Sequence, residues 1–249
     1  MKAILTYHSI DESGSPISVP RDAFERHARW LASGRVRVTS VGALRTLPPN
    51  EDAVAITFDD GFRNVGEIAA PLLLDHGLSA TVFVVSDHAG GTNAWGRRPD
   101  AGVPILPLLD WPAIERLMAQ GVEIGGHTRT HARLATVSAD ALADEIAGGA
   151  RAIEQRTGRA PDGFAYPYGV VTDAAVAIVR RTFRWGCTTE LQPLGEADDA
   201  ALLPRLDMYY FRDPGRLESW GSTRFRYYLK IRSRARWIRQ RWASRLRTP

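Results

Sequence analysis

Two short stretches of this chain bring together side chains suited to hydrolytic chemistry. In Thr57-Phe58-Asp59-Asp60-Gly61, two adjacent carboxylates close an apolar, β-branched run. Their mutual repulsion is a cost that a bound cation or a shared proton relieves. Neighbouring side chains on extended backbone diverge, so one carboxylate can hold a metal while the other handles a proton. In Gly125-Gly126-His127-Thr128-Arg129-Thr130-His131, two histidines stand four apart directly after another apolar run. If that turn is helical they share a face, and two imidazoles with one carboxylate make a three-ligand site with room for water and substrate. Taken singly, Asp-Asp-Gly also makes solvated turns, and His-x-x-x-His also falls on ordinary surfaces. Both at strand ends of one alternating fold are harder to explain that way, because that face is where α/β proteins build active sites. A third stretch, Phe164-Ala165-Tyr166-Pro167-Tyr168-Gly169, has two readings. Either it ends a core strand, or its Pro-Gly turn aims a backbone N–H at a developing oxyanion while the tyrosines wall a sugar ring.

The elements that must position these residues follow from periodicity. Strands are expected at Ala3–Tyr7, Ala53–Phe58, Ala80–Val85, Val122–Gly125, Gly163–Tyr166 and Trp185–Thr189. Helices are expected near Arg21–Ala32, Glu67–His76, Pro112–Gln120, Ala139–Thr157 and Asp173–Thr182. Pro20 precedes the first, Gly77 and Gly121 follow the second and third, and Ser138 is placed to cap the fourth. This alternation implies parallel strands, in an open doubly wound sheet or a closed barrel. The Gly-, Pro- and Asn-containing stretch Ser86–Asp110 is too long for an ordinary connection and is expected to lie over the active face, with His88, Asn93 and Trp95 on it. His27 and His76 fall inside amphipathic helices and are expected to face solvent. The single cysteine, Cys187, excludes an internal disulfide and a cysteine-built metal site, and it is expected to be buried.

The three motifs together resemble the polysaccharide deacetylases, the NodB-homology or carbohydrate esterase family 4 domain. The resemblance rests on Thr-Phe-Asp-Asp-Gly at 57–61, His-Thr-x-x-His at 127–131 and Tyr-Pro-Tyr-Gly at 166–169, and it spans roughly Ala3 to Met208. It implies an α/β fold, a distorted (β/α)7-like barrel. It also implies that Asp59 is the general base, that Asp60, His127 and His131 hold a divalent metal, Zn²⁺ above all, and that the backbone at Tyr168 helps form an oxyanion hole. Tyr166, Pro167 and Tyr168 would then border the substrate. Two departures matter. Many members carry an arginine two residues before the motif proline, where this chain has Ala165; Arg205 is the candidate to orient Asp59, with a plain surface ion pair as the alternative. Most members also use a late histidine as general acid, and His131 is the last histidine here. That leaves His8, in Tyr7-His8-Ser9-Ile10, unless it is a structural histidine; the order resembles the permuted motifs of deacetylases that act on exported poly-N-acetylglucosamine.

The implied reaction is removal of an N-acetyl or other N-acyl group from an amino sugar of a glycan or glycolipid precursor. A deformylase, another amide hydrolase on the same barrel, and a glycan-binding pseudoenzyme are the alternatives. The net charge of +4 conceals an asymmetry: residues 1–223 carry 22 basic against 28 acidic groups, and ten basic residues follow between Arg224 and Arg247. This argues against a nucleic-acid-binding core. The tail places Tyr228, Ile231, Ala235, Ile238, Trp242 and Leu246 at helical spacing among those basic residues. A catalytic domain at 1–221 followed by a basic amphipathic helix at 222–249 is the expected organisation. The tail suits an anionic membrane surface and a lipid-linked substrate, or packing on the barrel or a second subunit. The apolar run Ala3–Leu5 is too short for a signal peptide or a membrane span, so the expectation is a cytoplasmic protein, peripheral on the inner face of the membrane.

Overall fold

A computed structural model describes residues 1–95 and 102–245, with the backbone alone for Trp237 and 239–245. The strands of its main sheet are β1 (Lys2–Tyr7), β2 (Arg37–Val38), β3 (Ala53–Phe58), β4 (Thr81–Val84), β5 (Glu123–Gly126), β6 (Gly163–Ala165), β7 (Trp185–Cys187) and β8 (Leu206–Asp207), and Ser9–Ile10 pairs with Ser18–Val19 in a separate two-stranded ribbon. All eight pair in parallel, in the order β8-β1-β3-β4-β5-β6-β7, with β2 added beside the start of β3. The two ends of this path approach each other through one segment: Leu203 bridges Cys187 of β7, and Leu206 pairs with Leu5 of β1. The seven-stranded path therefore curls into the distorted barrel expected from the motifs.

Parallel strands covered on both faces lose the apolar-polar alternation of a half-exposed sheet, and all six residues of β3 are buried. Alternate residues still divide between two cores. Ile4, Ala53, Ala55, Phe83, Ala165, Trp185 and Cys187 cluster inside the barrel. Leu5, Tyr7, Val54, Ile56 and Phe58 pack outward against the helices. The interior is filled by rings that demand glycine opposite them. A Cβ on Gly163 would lie 2.1 Å from Trp185, and one on Gly125 would lie 2.4 Å from Phe83.

The helices are α1 (Arg21–Ala32), α2 (Val41–Thr46), α3 (Ala70–Asp75), α4 (Trp111–Ala119), α5 (Ala139–Ala143), α6 (Gly149–Thr157), α7 (Asp173–Thr182) and α8 (Thr223–Arg245). Ser138 caps α5 by accepting the Ala141 N–H. The helix expected over 139–157 is present throughout, with a π-helical stretch at Asp144–Gly148 between α5 and α6. A Cβ on Gly149 would crowd the Thr128–Arg129 backbone at 3.2 Å, so small residues bring this helix against the histidine turn.

His27 does not face solvent. It lies on the same face of α1 as Phe24, Ala28 and Leu31 and is buried with them. Its Nδ1 accepts from Tyr7 Oη at 3.1 Å and its Nε2–H donates to the Phe211 carbonyl at 3.0 Å. Burial disfavours the imidazolium and pushes the pKa down from 6.5 to about 4. The unfolded chain takes up a proton below pH 6.5 that the folded chain refuses. The stabilising effect of the neutral ring is therefore complete above that pH and is lost as pH falls toward about 4. The loss from this group should approach about 3 kcal/mol. Urea midpoints measured across that range should fall steeply for the parent and less steeply for His27→Gln; identical pH profiles would remove His27 as the cause.

The C-terminal helix is present, but not as a tail independent of the body. Phe225 and Leu229 are buried in the main core, Tyr228 donates to the Tyr210 carbonyl, and Ser233 donates to the Leu191 carbonyl. Tyr228 thus turns inward, apart from the stripe in which the spacing placed it. The helix carries two apolar stripes on opposite sides: Phe225 and Leu229 toward the barrel, and Tyr227, Ile231 and Ile238 exposed. Leu246 and the side chain of Trp242 lie outside the described residues.

Candidate functional site

Asp59 and Asp60 follow the last residue of β3, where the strand gives way to a turn. Asp60 has φ 70° and Gly61 φ 72°, so the backbone reverses and the two carboxylates point to different partners. Asp60 Oδ1 lies 3.3 Å from Nε2 of His127 and 3.3 Å from Nε2 of His131. His127 follows β5, and its Nδ1–H donates to the Ala165 carbonyl at 2.7 Å, which leaves the Nε2 lone pair toward Asp60. His131 does not share a helical face with His127. Thr128 at φ 65° and His131 at φ 60° fold the chain back instead, with the His131 N–H donating to Thr128 Oγ1 at 3.0 Å. Among the described residues, only Asp60, Thr128, His131 and Tyr168 combine a side chain with left-handed backbone. Such conformations cost about 1–3 kcal/mol each and persist where the surroundings enforce them. All four lie at one site.

The three donor groups fit a divalent cation. Ligand atoms of Asp60, His127 and His131 all lie within 4.8 Å of one another, and all three residues are buried. Asp60 Oδ1 is buried without a hydrogen-bond partner among the described residues, a state that an ion between the three groups relieves. Burial pushes the Asp60 carboxyl up, but the facing imidazoles of His131 and His127 outweigh it and hold the group well below the usual carboxylate range. Two imidazoles and one carboxylate form a donor set with an open position.

Asp59 faces the other way. Arg205 reaches it from the segment between β7 and β8, donating from Nη1 to Oδ1 and from Nη2 to Oδ2, each at 2.7 Å. Its Nε–H donates to the Thr188 carbonyl at 2.9 Å, so the guanidinium is fixed at both ends. The pair is buried, unlike a surface ion pair. Burial pushes Asp59 up, and the Arg205 charge and hydrogen bonds, with a smaller effect from His8, bring it below the ordinary range. His8 Nε2 stands 3.7 Å from Asp59 Oδ2, and the His8 side chain borders the open cleft. Cys187 is buried near this pair, and burial raises its thiol to about 12, which leaves it inert.

The cleft has a volume of about 490 Å³. Tyr168 and Trp95 flank His131, each with its ring centroid 4.5 Å away. Tyr166 touches the cleft, but its ring is fully buried edge-on to Phe164; Pro167 is buried and does not border the cleft. The alternation that turns Ala165 into the barrel sends Phe164 and Tyr166 out to the helix layer. The aromatic wall is accordingly Tyr168 with Trp95, and Asn93, Trp95 and Val103 of the stretch at 86–110 line this face; residues 96–101 of it lie outside the described residues. Asp207, Tyr209, Tyr210 and Arg236 also line the cleft. Only Asp207 of these stands near a motif, two residues after Arg205, and no spacing rule connects Arg236 to the site.

This arrangement defines a β/α barrel with a buried His-His-Asp cluster and a second, arginine-held carboxylate at the carboxyl ends of its strands. Residues 46–182 match the family model described as polysaccharide deacetylase, and the chain belongs to that family. The match contains the three motifs and excludes His8 and Arg205. YxkH of Bacillus subtilis (strain 168), which carries a provisional polysaccharide deacetylase name, is 26% identical over 193 residues, 75% of this chain and 64% of that protein. A chitin deacetylase of Pestalotiopsis sp is 31% identical over 130 residues, 51% of this chain and 38% of that protein. The chain thus spans less than two thirds of either relative. In fold it is similar to the Streptococcus pyogenes deacetylase PplD in complex with acetate, at a TM-score of 0.71 and 20% identity over 82% of this chain and 91% of that one. IcaB from Ammonifex degensii gives a TM-score of 0.70 and 23% identity over 88% and 93%.

Proposed function

We propose that this chain is a metal-dependent N-deacetylase acting on an amino sugar of a glycan or glycolipid precursor. The observation that carries this reading is the convergence, in one cleft, of the Asp60–His127–His131 cluster and the ionised, arginine-held Asp59. Zinc suits the nitrogen and oxygen donors. A divalent cation bound there supplies Lewis acidity toward the amide carbonyl and lowers the pKa of water. Asp59 takes a proton from the attacking water as a new C–O bond forms, and Arg205 keeps both carboxylate oxygens in place while it does so. The turn at Tyr168 faces the developing oxyanion. His8, beside Asp59, protonates the nitrogen as the C–N bond breaks, so the products are a free amine and acetate. His8→Ala should leave metal stoichiometry unchanged and lower turnover by about 10²–10⁴-fold, most for amides with poor leaving groups. Equal losses across leaving groups would point to a different acid. A panel of N-acetyl, N-formyl and cyclic ureide substrates separates deacetylation from the other amide chemistries.

The second part of the reading concerns where the enzyme works. A turn of 100° per residue puts Tyr227, Ile231 and Ile238 within about 40° of one another on the outer side of α8. All three are exposed, and exposed Arg226, Lys230 and Arg234 flank them. No helix among the described residues is long and apolar enough to cross a membrane, so contact through α8 would be peripheral. Each basic group near an anionic leaflet contributes about 1 kcal/mol. The reading is a cytoplasmic enzyme held on the inner membrane face beside a lipid-linked substrate. The full chain should co-sediment with vesicles rich in phosphatidylserine at low salt and be released by high salt. Ile231→Glu with Ile238→Glu should abolish that binding without unfolding the barrel, and unchanged binding would reject α8 as the contact.

A further inference from the structure

The turn that carries both imidazoles is strained and has to be held. Thr128 and His131 adopt left-handed backbone, and neither strand nor helix continues from β5 through residues 127–131. Such a reversal brings successive backbone N–H groups to one side, where they form a concave site suited to an anion. Here the chain fills that site with a carboxylate of its own. Glu145 Oε2 accepts the Arg129 N–H and the Thr130 N–H, each at 3.0 Å, and Glu145 Oε1 accepts from Thr130 Oγ1 at 2.6 Å. The Glu145 carbonyl also accepts the Arg129 N–H, at 3.1 Å. Among the described residues, no other side chain from outside the turn bonds to the backbone of residues 127–131. The opposite edge is held by main chain alone: the Ser86 and Asp87 N–H groups donate to the Thr128 and Arg129 carbonyls at 3.2 and 2.9 Å.

The helix is shaped to deliver this carboxylate. Glu145 lies in the π-helical stretch between α5 and α6, a distortion that recurs at functional sites. Two glycines follow it where the helix meets the turn, and a Cβ on Gly148 would lie 3.2 Å from Arg129 Cδ. The carboxylate is not needed to attach the helix, because Leu142, Ile146 and Ala150 are buried in one core and Ile153 in another. Nor is it the charge partner of Arg129, whose guanidinium pairs with Asp87 and Asp144. Its bonds go to the two central amides and the hydroxyl of the histidine turn.

We propose that Glu145 is a positioning residue for the metal site, locking the turn so that His131 faces Asp60 and His127 before any cation binds. A ligand set fixed in advance binds more tightly than one that has to be ordered by the ion. The inference rests on the metal-binding part of the proposed function, and it extends the site to a helix that contributes no ligand.

Titration of the metal-free full chain with cobalt, followed by the visible absorption of the bound ion, tests it. Glu145→Ala should weaken cobalt binding by about 10–100-fold, the range for losing a group that orients a metal ligand, and should change the band shape. Glu145→Gln should recover most of the affinity, since its carbonyl oxygen still accepts both amides and its –NH₂ can donate to Thr130 Oγ1. Glu145→Asp, one methylene shorter, should not. Asp144→Ala removes only exposed ion pairs and should bind cobalt as the parent does. With zinc, the concentration that gives half-maximal turnover should rise in Glu145→Ala by the same factor as the cobalt affinity falls. Parent-like affinity and spectrum in a folded Glu145→Ala, or an equal loss in Asp144→Ala, would overturn the proposal. If Glu145→Ala does not fold, Thr130→Ala decides, because it deletes one bond to the carboxylate: weaker cobalt binding at an unchanged Tm supports the clamp, and unchanged binding overturns it. A parent chain that binds neither cobalt nor zinc would overturn the metal reading and the proposal with it. Glu145-dependent binding without acetate release from any substrate would remove deacetylation and leave the clamp standing.

Discussion

His127→Ala is expected to strip the divalent cation from the chain and abolish turnover while the barrel remains folded. The imidazole supplies one of three converging donors, and its Nδ1–H bond to the Ala165 carbonyl fixes how the ring faces Asp60. Losing even an outer hydrogen-bond partner of a metal ligand costs roughly 10–100-fold in affinity or activity, and losing the ligand itself should cost more. Asp60→Ala and His131→Ala should behave alike, because the cluster has no spare donor of this kind among the described residues. Metal content by atomic spectroscopy after dialysis, with circular dichroism to confirm the fold, checks each variant. Stoichiometric metal in His127→Ala would remove this residue from the site.

The next largest effect is expected at Arg205. Arg205→Ala removes two 2.7 Å hydrogen bonds and the only arginine seen on Asp59, and leaves a buried carboxylate without its partner. Breaking a buried pair from one side costs about 3–5 kcal/mol, which for a chain of this size lowers Tm by about 10 °C. Turnover should fall by about 10²–10⁴-fold, the range for loss of a general base, because Asp59 then has no fixed position. Arg205→Lys is the sharper test. It keeps the charge and should recover much of the stability, but an ammonium cannot present two parallel N–H groups, so turnover should stay low. Asp59→Asn should retain the metal and lose turnover to a similar degree. Metal loss in that variant would make Asp59 a ligand, and full activity in Arg205→Lys would reduce Arg205 to a structural counter-ion.

The parts legible from sequence are those in which a short motif and a strand period coincide. Asp59 and Asp60 close a β-branched run, so both their location at a strand end and their divergence followed from local geometry. The contact of Arg205 with Asp59 was suggested only through the resemblance, which implies an arginine where Ala165 stands. The rest depended on tertiary structure. Spacing alone could not show that Thr128 and His131 adopt left-handed backbone, so a helical turn was the natural expectation for the two histidines. His27 shares the i, i+3, i+4, i+7 face of Phe24, Ala28 and Leu31, a signal that could have placed it inside despite its polarity. Tyr166 does touch the cleft, but the strand ends one residue before it and its ring continues the outward alternation, which the motif alone does not show. On α8, the stripe read from the spacing included Tyr228, which turns inward, and left out Phe225 and Leu229, which dock the helix. Arg236 reaches the cleft only because Phe225 and Leu229 dock the helix, and no local pattern encodes that path.

The central claim is metal-dependent release of an acyl group from an amino sugar. Mass spectrometry of products formed by the full chain from N-acetylated glycans and glycolipids, before and after chelation, tests it most directly. Acetate and free amine should form in equal amounts, cease on removal of the metal and return with zinc. Acetate release that persists in the chelated enzyme and in Asp60→Ala, or metal and saccharide binding with no acetate released from any N-acetylated substrate, would contradict the account.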